Sequence, residues 1–260
     1  MLSLDDNLAL AKKAAQKAGN VAMSYFQTSK YEIKDKSFNN PVTTADHQAN
    51  KVIKEILFQD DSSCGWLSEE TVDSDQRLAN DYVWVVDPID GTKEFIDGVP
   101  QFSISIALVH LGDPIIGVIY NPSTDELFSA SRSMGSYYND KRVKCLKHNK
   151  ELTALVSRSE VKKGLWDEYK NNFKNLRPIG SVAYKLGLIG AGVGDVFATL
   201  RPKNEWDICA GHCIINESGG VLFDLNGKSI KYNQKNTLIQ PGLIAGSKNK
   251  VDSLLKIINI

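Results

Sequence analysis

Two carboxylates three residues apart, Asp87 and Asp90, stand in the stretch Trp84-Val-Val-Asp-Pro-Ile-Asp-Gly-Thr92, where an apolar run gives way to a Gly-Thr turn. Acids so placed can hold a hard cation through oxygen, and the backbone N–H groups of Gly91 and Thr92 at a helix start can receive a phosphate. The same residues also fit a plain strand-turn-helix whose Asp side chains only cap and turn. Two further segments, Ser68-Glu69-Glu70 and Glu205-Trp206-Asp207, put acids at element boundaries beside bulky apolar residues. Each alone reads as a solvated turn. Together with Asp87 and Asp90 they supply enough oxygen for two or more Mg²⁺ ions, which would bridge a phosphate, activate water and steady the leaving oxygen. Chemistry on a phosphate is therefore the leading expectation.

Elements must position these groups. Val83 to Val86 has the β-branched and aromatic character of a buried strand, and Pro88 holds Asp87 extended, so Asp87 is expected at a strand end. Asp90, ahead of Gly91 to Glu94, is placed to cap a following helix. Apolar residues recur at helical spacing from Leu8 to Tyr25 and again from Thr43 to Phe58. The polar stretch Lys30 to Pro41 between them reads as a hairpin or loop able to reach over a site. Phe102–His110, Ile115–Asn121 and Glu126–Ser131, parted by Gly and Pro, read as an antiparallel meander. Further on, the pattern predicts a strand over Thr153–Ser157, helices over Val161–Phe173 and Val182–Ile189, and a strand over Asp195–Leu200. A helix over Ile208–Glu217, a strand over Val221–Asp224 and a final strand and helix within Gly242–Ile260 complete it. The fold class is α+β. Residues 1–149 form an N-terminal α+β half with the acidic loop and 150–260 a C-terminal α/β half completing the site, with Asn149 as the seam of a single compact unit.

Thirty-one basic and 31 acidic residues cancel, which argues against nucleic acid or a membrane surface as partner. No apolar run approaches a membrane span, and the N-terminus does not have the form of a secretory signal, so a cytoplasmic protein is expected. Cys64, Cys145, Cys209 and Cys213 contain no CxxC pair, which fits reduced thiols. Cys209, His212 and Cys213 share one side of a helix; packing is preferred to zinc because no fourth ligand is evident. Glycines 187, 190, 192 and 194 do not form a dinucleotide-binding turn, since a helix precedes and a strand follows them, the reverse of what that turn needs.

Ser68-Glu69-Glu70, the loop Trp84 to Thr92, and Trp206-Asp-Ile-Cys-Ala-Gly211 followed by Glu217-Ser-Gly-Gly220 resemble, in order and separation, the inositol monophosphatase superfamily of Mg²⁺-dependent, lithium-sensitive phosphatases. That resemblance implies a layered αβαβα sandwich. It implies one metal on Glu69, Asp87 and the carbonyl of Ile89, a second on Asp87, Asp90 and Asp207, and a third, weaker ion leaning on Glu69. The phosphate would rest on these ions and on the backbone of Gly91 and Thr92. Water near Glu69 and the Thr92 hydroxyl would be the nucleophile, with Asp46 polarising Thr92, and Glu70 would stand behind the ligands. The family contains monomers and homodimers, so either is open.

Within the family, Lys93-Glu94-Phe95 resembles the 3'(2'),5'-bisphosphate nucleotidases, whereas inositol phosphatases usually place Thr-Asn-Phe here. The acid that grips ring hydroxyls ahead of Trp-Asp in inositol phosphatases is replaced by Thr199-Leu-Arg-Pro-Lys203. Gly180, Ser181, Lys185, Arg201 and Lys203, with the Ser157-Arg158-Ser159 strand end, are candidates for binding a substrate with a second phosphate. The expected reaction is removal of the 3'-phosphate from adenosine 3',5'-bisphosphate or its sulfated form. Asp97 to Phe102 resembles the inositol-type continuation equally well, so an inositol-1-phosphate or other sugar monophosphate phosphatase is the alternative. A non-catalytic module sensing phosphorylated metabolites is the alternative from another class, and the complete set of acids argues against it.

Overall fold

A computed structural model describes residues 2–37, 40–59, 63–145 and 152–258, and the expected seam at Asn149 lies outside them. The first helix, Leu4–Tyr25, starts where Ser3 Oγ accepts the Asp6 N–H, with Asp5 and Asp6 complementing the dipole of its first turn. Its buried face is almost all alanine (Ala11, Ala14, Ala15, Ala18, Ala22), which lets it approach closely. The second helix, Thr44–Leu57, buries Ala45, Ala49, Ile53 and Leu57 in the same core. Between the two helices, Ile33–Ser37 and Asn40–Thr43 pair antiparallel, so the polar stretch is a hairpin.

Both helices cover one face of a seven-stranded sheet ordered Gly65–Ser68, Tyr82–Asp90, Ser103–His110, Asp113–Asn121, Glu126–Ser131, Gly135–Tyr138 and Lys141–Val143. The first two strands are parallel and the rest antiparallel. Alternation assigns its faces: Trp84, Val86, Ile104 and Ile106 pack with the first two helices, while Val83, Val85, Ala107 and Val109 join a second core. That second core holds the helices Val182–Gly190 and Glu205–Glu217, and beyond them Leu155, Phe197, Leu222 and Ala245 of another sheet. This sheet has the order Asn175–Ile179, Thr153–Ser157, Val196–Thr199, Leu243–Gly246, Val221–Asp224. Its other face (Ala154, Val156, Val196, Ile244) packs with Trp166, Phe173 and the helix Lys248–Leu255. Counted across, the layers run helix, sheet, helix, sheet, helix. No helix among the described residues is long and apolar enough to cross a membrane.

One expected helix is not formed. Val161–Phe173 is a short helix, Arg158–Lys162, followed by turns and a 3₁₀ segment at Lys170–Asn172. Gly164 at φ +72° leaves helical space immediately, and Trp166 then turns back so that its indole N–H donates to the buried Glu160 carboxylate at 3.0 Å. The strands Asn175–Ile179, Gly135–Tyr138 and Lys141–Val143 were not expected.

Candidate active site

The strand Tyr82–Asp90 carries a bulge where its chemistry lies. Asp87 stands opposite Ser105 and Asp90 opposite Ser103, three steps on one strand against two on its neighbour. In a regular strand, residues three apart face opposite sides. The extra residue turns both Asp side chains into one cavity, and Pro88, which has no N–H to give a ladder, is tolerated there. Glu69 arrives from the neighbouring parallel strand, where its N–H donates to the Val86 carbonyl at 3.2 Å. Asp207 comes from the first turn of Glu205–Glu217, and its Oδ2 accepts the Asn204 N–H at 2.9 Å. One ligand oxygen each from Glu69, Asp87 and Asp207 lie within 4.8 Å of one another.

Burial sets the electrostatics. It pushes the Asp87 carboxyl well above its ordinary value, and neighbouring Glu69, Asp90 and Asp207 push it further. Asp207 rises to about 8 for the same reasons, burial first and then Asp90 and Glu69. Asp90 rises only to about 6, because hydrogen bonds from Ser181 and Ala183 and the charge of Lys185 offset part of its burial. Several buried acids with an all-oxygen donor set match a hard divalent cation, which would relieve their mutual repulsion. Glu69, Asp87 and Asp207, with Asp90 on the same cavity wall, are the residues that would hold it. Ile89, also expected as a ligand through its carbonyl, lines the cavity too.

Asp90 does not cap the helix that follows it. The N-cap of Thr92–Ile96 is Gly91 at φ +97°, where a Cβ would stand 3.1 Å from the Gln101 carbonyl oxygen. Asp90 Oδ2 instead accepts from Ser181 Oγ and from the Ala183 N–H, both at 2.6 Å, and so caps Val182–Gly190 in the other half of the chain. The Thr92 hydroxyl lies 3.2 Å from Asp46 Oδ1 and 3.1 Å from the Ile89 carbonyl oxygen. Asp46 also serves its own helix, as Oδ2 accepts from the Thr43 N–H and hydroxyl. Glu70 faces the His47 ring at 3.8 Å.

The cavity measures about 310 Å³, and its walls include Gly91, Thr92, Lys93, Glu94, Ser157, Ser159, Gly180 and Ser181, with Lys185 and Lys203. Glu94 is engaged by Arg158 at 3.2 Å. Among the described residues Lys93 and Lys203 have no carboxylate at ion-pair distance, and the Lys203 ammonium donates to the Pro202 carbonyl. Arg201 is exposed and is not on the cavity wall. Lys185 is buried, with its ammonium on backbone carbonyls. Pro41 brings the end of the expected hairpin to the cavity wall and Pro202 lies in the stretch before Lys203, whereas the Gln101 side chain and the Ala183 N–H are supports of the site that sequence reasoning missed, since neither a loop amide nor a main-chain N–H leaves a pattern along the chain.

Away from the cavity, all four cysteines are buried and free, and His212 Nδ1 lies 2.8 Å from the Tyr232 hydroxyl, so the Cys209/His212/Cys213 group is packing. Gly187 and Gly190 are packing too, against Phe128 and Ile214.

A family model described as the inositol monophosphatase family matches residues 3–259. A fructose-1,6-bisphosphatase/inositol-1-monophosphatase of Thermotoga maritima is 30% identical over 98% of this chain and 96% of its own length. Among solved structures, the extragenic suppressor protein suhB from Bartonella henselae superposes with a TM-score of 0.82 at 28% identity, covering 95% of this chain and 96% of that one. CysQ from Bacteroides thetaiotaomicron superposes with a TM-score of 0.79 at 31% identity, covering 94% and 97%.

Proposed function

Since the chain belongs to the inositol monophosphatase family of metal-dependent phosphatases, we propose that it is an Mg²⁺-dependent phosphomonoesterase that removes the 3'-phosphate of adenosine 3',5'-bisphosphate. The observation that carries this reading is the composition of one cavity: converging acids on one wall, and on the others Lys93 and Lys203, which have no carboxylate partner among the described residues. A phosphate held over the acids leaves these two ammonium groups to meet a second phosphate, each through a charge-assisted hydrogen bond. The carboxylate on that side, Glu94, is taken up by Arg158 and so is poorly placed to grip sugar hydroxyls.

Bound at Glu69, Asp87, Asp90 and Asp207, Mg²⁺ would supply Lewis-acid neutralisation of the phosphate charge. The chain's own groups do the rest. Thr92 has one hydroxyl proton and two acceptors, Asp46 Oδ1 and the Ile89 carbonyl. Donation to Asp46 turns the Thr92 oxygen lone pairs outward, where they can take a hydrogen bond from the attacking water and orient it. Burial raises the Asp46 carboxyl above its ordinary value, which suits it to share the Thr92 proton as the water is deprotonated. Gly91, held at φ +97°, brings the backbone close to the phosphate without a side chain in the way.

The second reading is a sugar phosphatase, favoured by the name of the Thermotoga relative, which includes both fructose 1,6-bisphosphate and inositol monophosphate activity. Phosphate release with Mg²⁺ from adenosine 3',5'-bisphosphate, fructose 1,6-bisphosphate and inositol 1-phosphate separates the two. The nucleotide is expected to give the highest kcat/KM, and Lys203→Ala to raise KM for it about tenfold, the scale of one charged hydrogen bond. Faster turnover of inositol 1-phosphate than of the nucleotide would overturn the assignment.

A further inference from the structure

Lys185 lies on the cavity wall, but its ammonium is bound to the backbone of the wall itself. Its side chain is buried, with 2% of its surface exposed, and its ammonium donates to the carbonyls of Ile179 (2.9 Å), Gly180 (3.4 Å) and Ser181 (2.6 Å). An ammonium has three protons, and three acceptors take them. The residues it ties are the turn between the strand Asn175–Ile179 and the helix Val182–Gly190.

That turn is held in an unfavourable shape. Ser181 sits at φ +54°, a region that residues with a side chain enter rarely. Gly180 has no room for a side chain, since a Cβ would stand 2.4 Å from Glu94 Cγ and 2.7 Å from the Gln101 carbonyl oxygen. Its N–H is held by Gln101 Oε1 at 2.8 Å. The outcome of this shape is that Ser181 Oγ and the Ala183 N–H both reach Asp90 Oδ2, while Ser103 and the Tyr184 N–H fix the Ser181 hydroxyl from behind. Asp90 belongs to one half of the chain and its two donors to the other. Strain of this kind persists only where surrounding contacts over-determine it, and the Lys185 ammonium makes three of those contacts.

We infer that Lys185 is a positioning residue that locks the Ile179–Ser181 turn so that Ser181 and Ala183 orient Asp90, and that it is not a ligand of the substrate's second phosphate. The inference rests on the reading of Asp90 as a ligand of Mg²⁺, but not on which phosphate ester is the substrate. Loss of the ammonium leaves three inward carbonyls without a donor, frees the turn to relax from φ +54°, and takes both hydrogen bonds out of register with Asp90.

Two variants test it. Lys185→Met keeps the stem and removes every donor; Lys185→Gln keeps two N–H donors and removes the charge. Mg²⁺ affinity is read by calorimetry on the folded proteins, and kcat/KM is read on p-nitrophenyl phosphate, which has one phosphate, and on adenosine 3',5'-bisphosphate, which has two. Positioning predicts that Lys185→Met weakens Mg²⁺ binding about 10- to 100-fold, the cost of losing an outer support of a ligand. It predicts that kcat/KM falls by the same factor on both esters, and that Lys185→Gln recovers part of each loss. A loss confined to the bisphosphate with Mg²⁺ affinity unchanged, or a Gln variant no better than Met, sinks the inference. Should Lys185→Met fail to fold, Lys185→Gln against the unaltered protein still decides when both are read at a pH above the range where Asp90 takes up its proton, because a loss of Mg²⁺ affinity and of monophosphate turnover there does not come from the Lys185 charge holding Asp90 ionised. A substrate preference that contradicts the proposed reaction shows in the unaltered protein and leaves this comparison standing.

Discussion

An asparagine at position 90 would keep the shape of the site and remove its charge. Its amide oxygen can replace Oδ2 and accept from Ser181 and Ala183, which leaves an NH₂ where a carboxylate oxygen lined the cavity. Asp90→Asn is therefore expected to fold and to lose turnover on the order of 10²-fold or more, the scale of deleting one preorganised charge-stabilising group. Near-normal turnover in a phosphate-release assay would mean that Asp90 is not a ligand. The acids were readable in the sequence because Glu69, Asp87, Asp90 and Asp207 form a set, in the order and separation of a known family's motifs, although each segment alone reads as an ordinary turn. What Asp90 bonds to was not readable. Its partners are a main-chain N–H and a serine 91 residues away, and neither leaves a pattern along the chain.

The bulge at Asp87–Asp90 and the helix Glu205–Glu217 are the elements that bring the acids together, and the helix is pressed hard against the sheet. A Cβ on Gly117 of the meander would stand 2.3 Å from the Ala210 carbonyl oxygen, which is backbone and cannot swing aside. Ala210 is one turn beyond Asp207, so Gly117→Ala must move the helix that carries that acid. Overpacking of this kind costs about 1–3 kcal/mol, and a chain of this size loses roughly 2–4 °C per kcal/mol. A thermal melt is expected to show a drop of that size, together with weaker Mg²⁺ binding; an unchanged melt and unchanged binding would mean that the helix is not held by this contact. Periodicity found the first two helices because each buries one continuous face, and the meander because its strands are apolar runs buried on both faces and parted by Gly and Pro. It failed at Val161–Phe173, where Gly164 ends the helix and Trp166 folds back onto Glu160, and at Asn175–Ile179, whose Arg177 and Pro178 suit only the sheet edge that this strand occupies.

At the scale of the whole molecule, polar contacts around the site join segments that lie far apart in the chain and share one hydrophobic core beneath it. Asp90 reaches Ser181 and Ala183, Glu94 reaches Arg158, and Gln101 reaches Gly180. The stability of the assembled chain should therefore follow the charge state of the acids between them. Without metal, Asp207 takes up its proton near pH 8 in the folded chain, against an ordinary carboxylate value of 3.8, and Asp90 near 6. The folded state then binds more protons than the unfolded one between about pH 4 and 8. That contribution is fully present below the unfolded value and is lost as pH rises through the folded one, so the metal-free protein is expected to lose Tm across this window. Mg²⁺ binds the deprotonated acids, and its stabilisation grows with occupancy, about 2.7 kcal/mol at one hundred times Kd. Melts with EDTA and with saturating Mg²⁺ at pH 5.5, 7 and 8.5 should consequently diverge as pH rises, and Asp207→Asn should shrink the divergence by raising the metal-free curve at pH 8.5. A gap between the two curves that is constant with pH would show that the buried acids are not linked to the metal. The divergence itself would tie the cation to the buried acids, so that its removal weakens both the reaction and the fold that positions it.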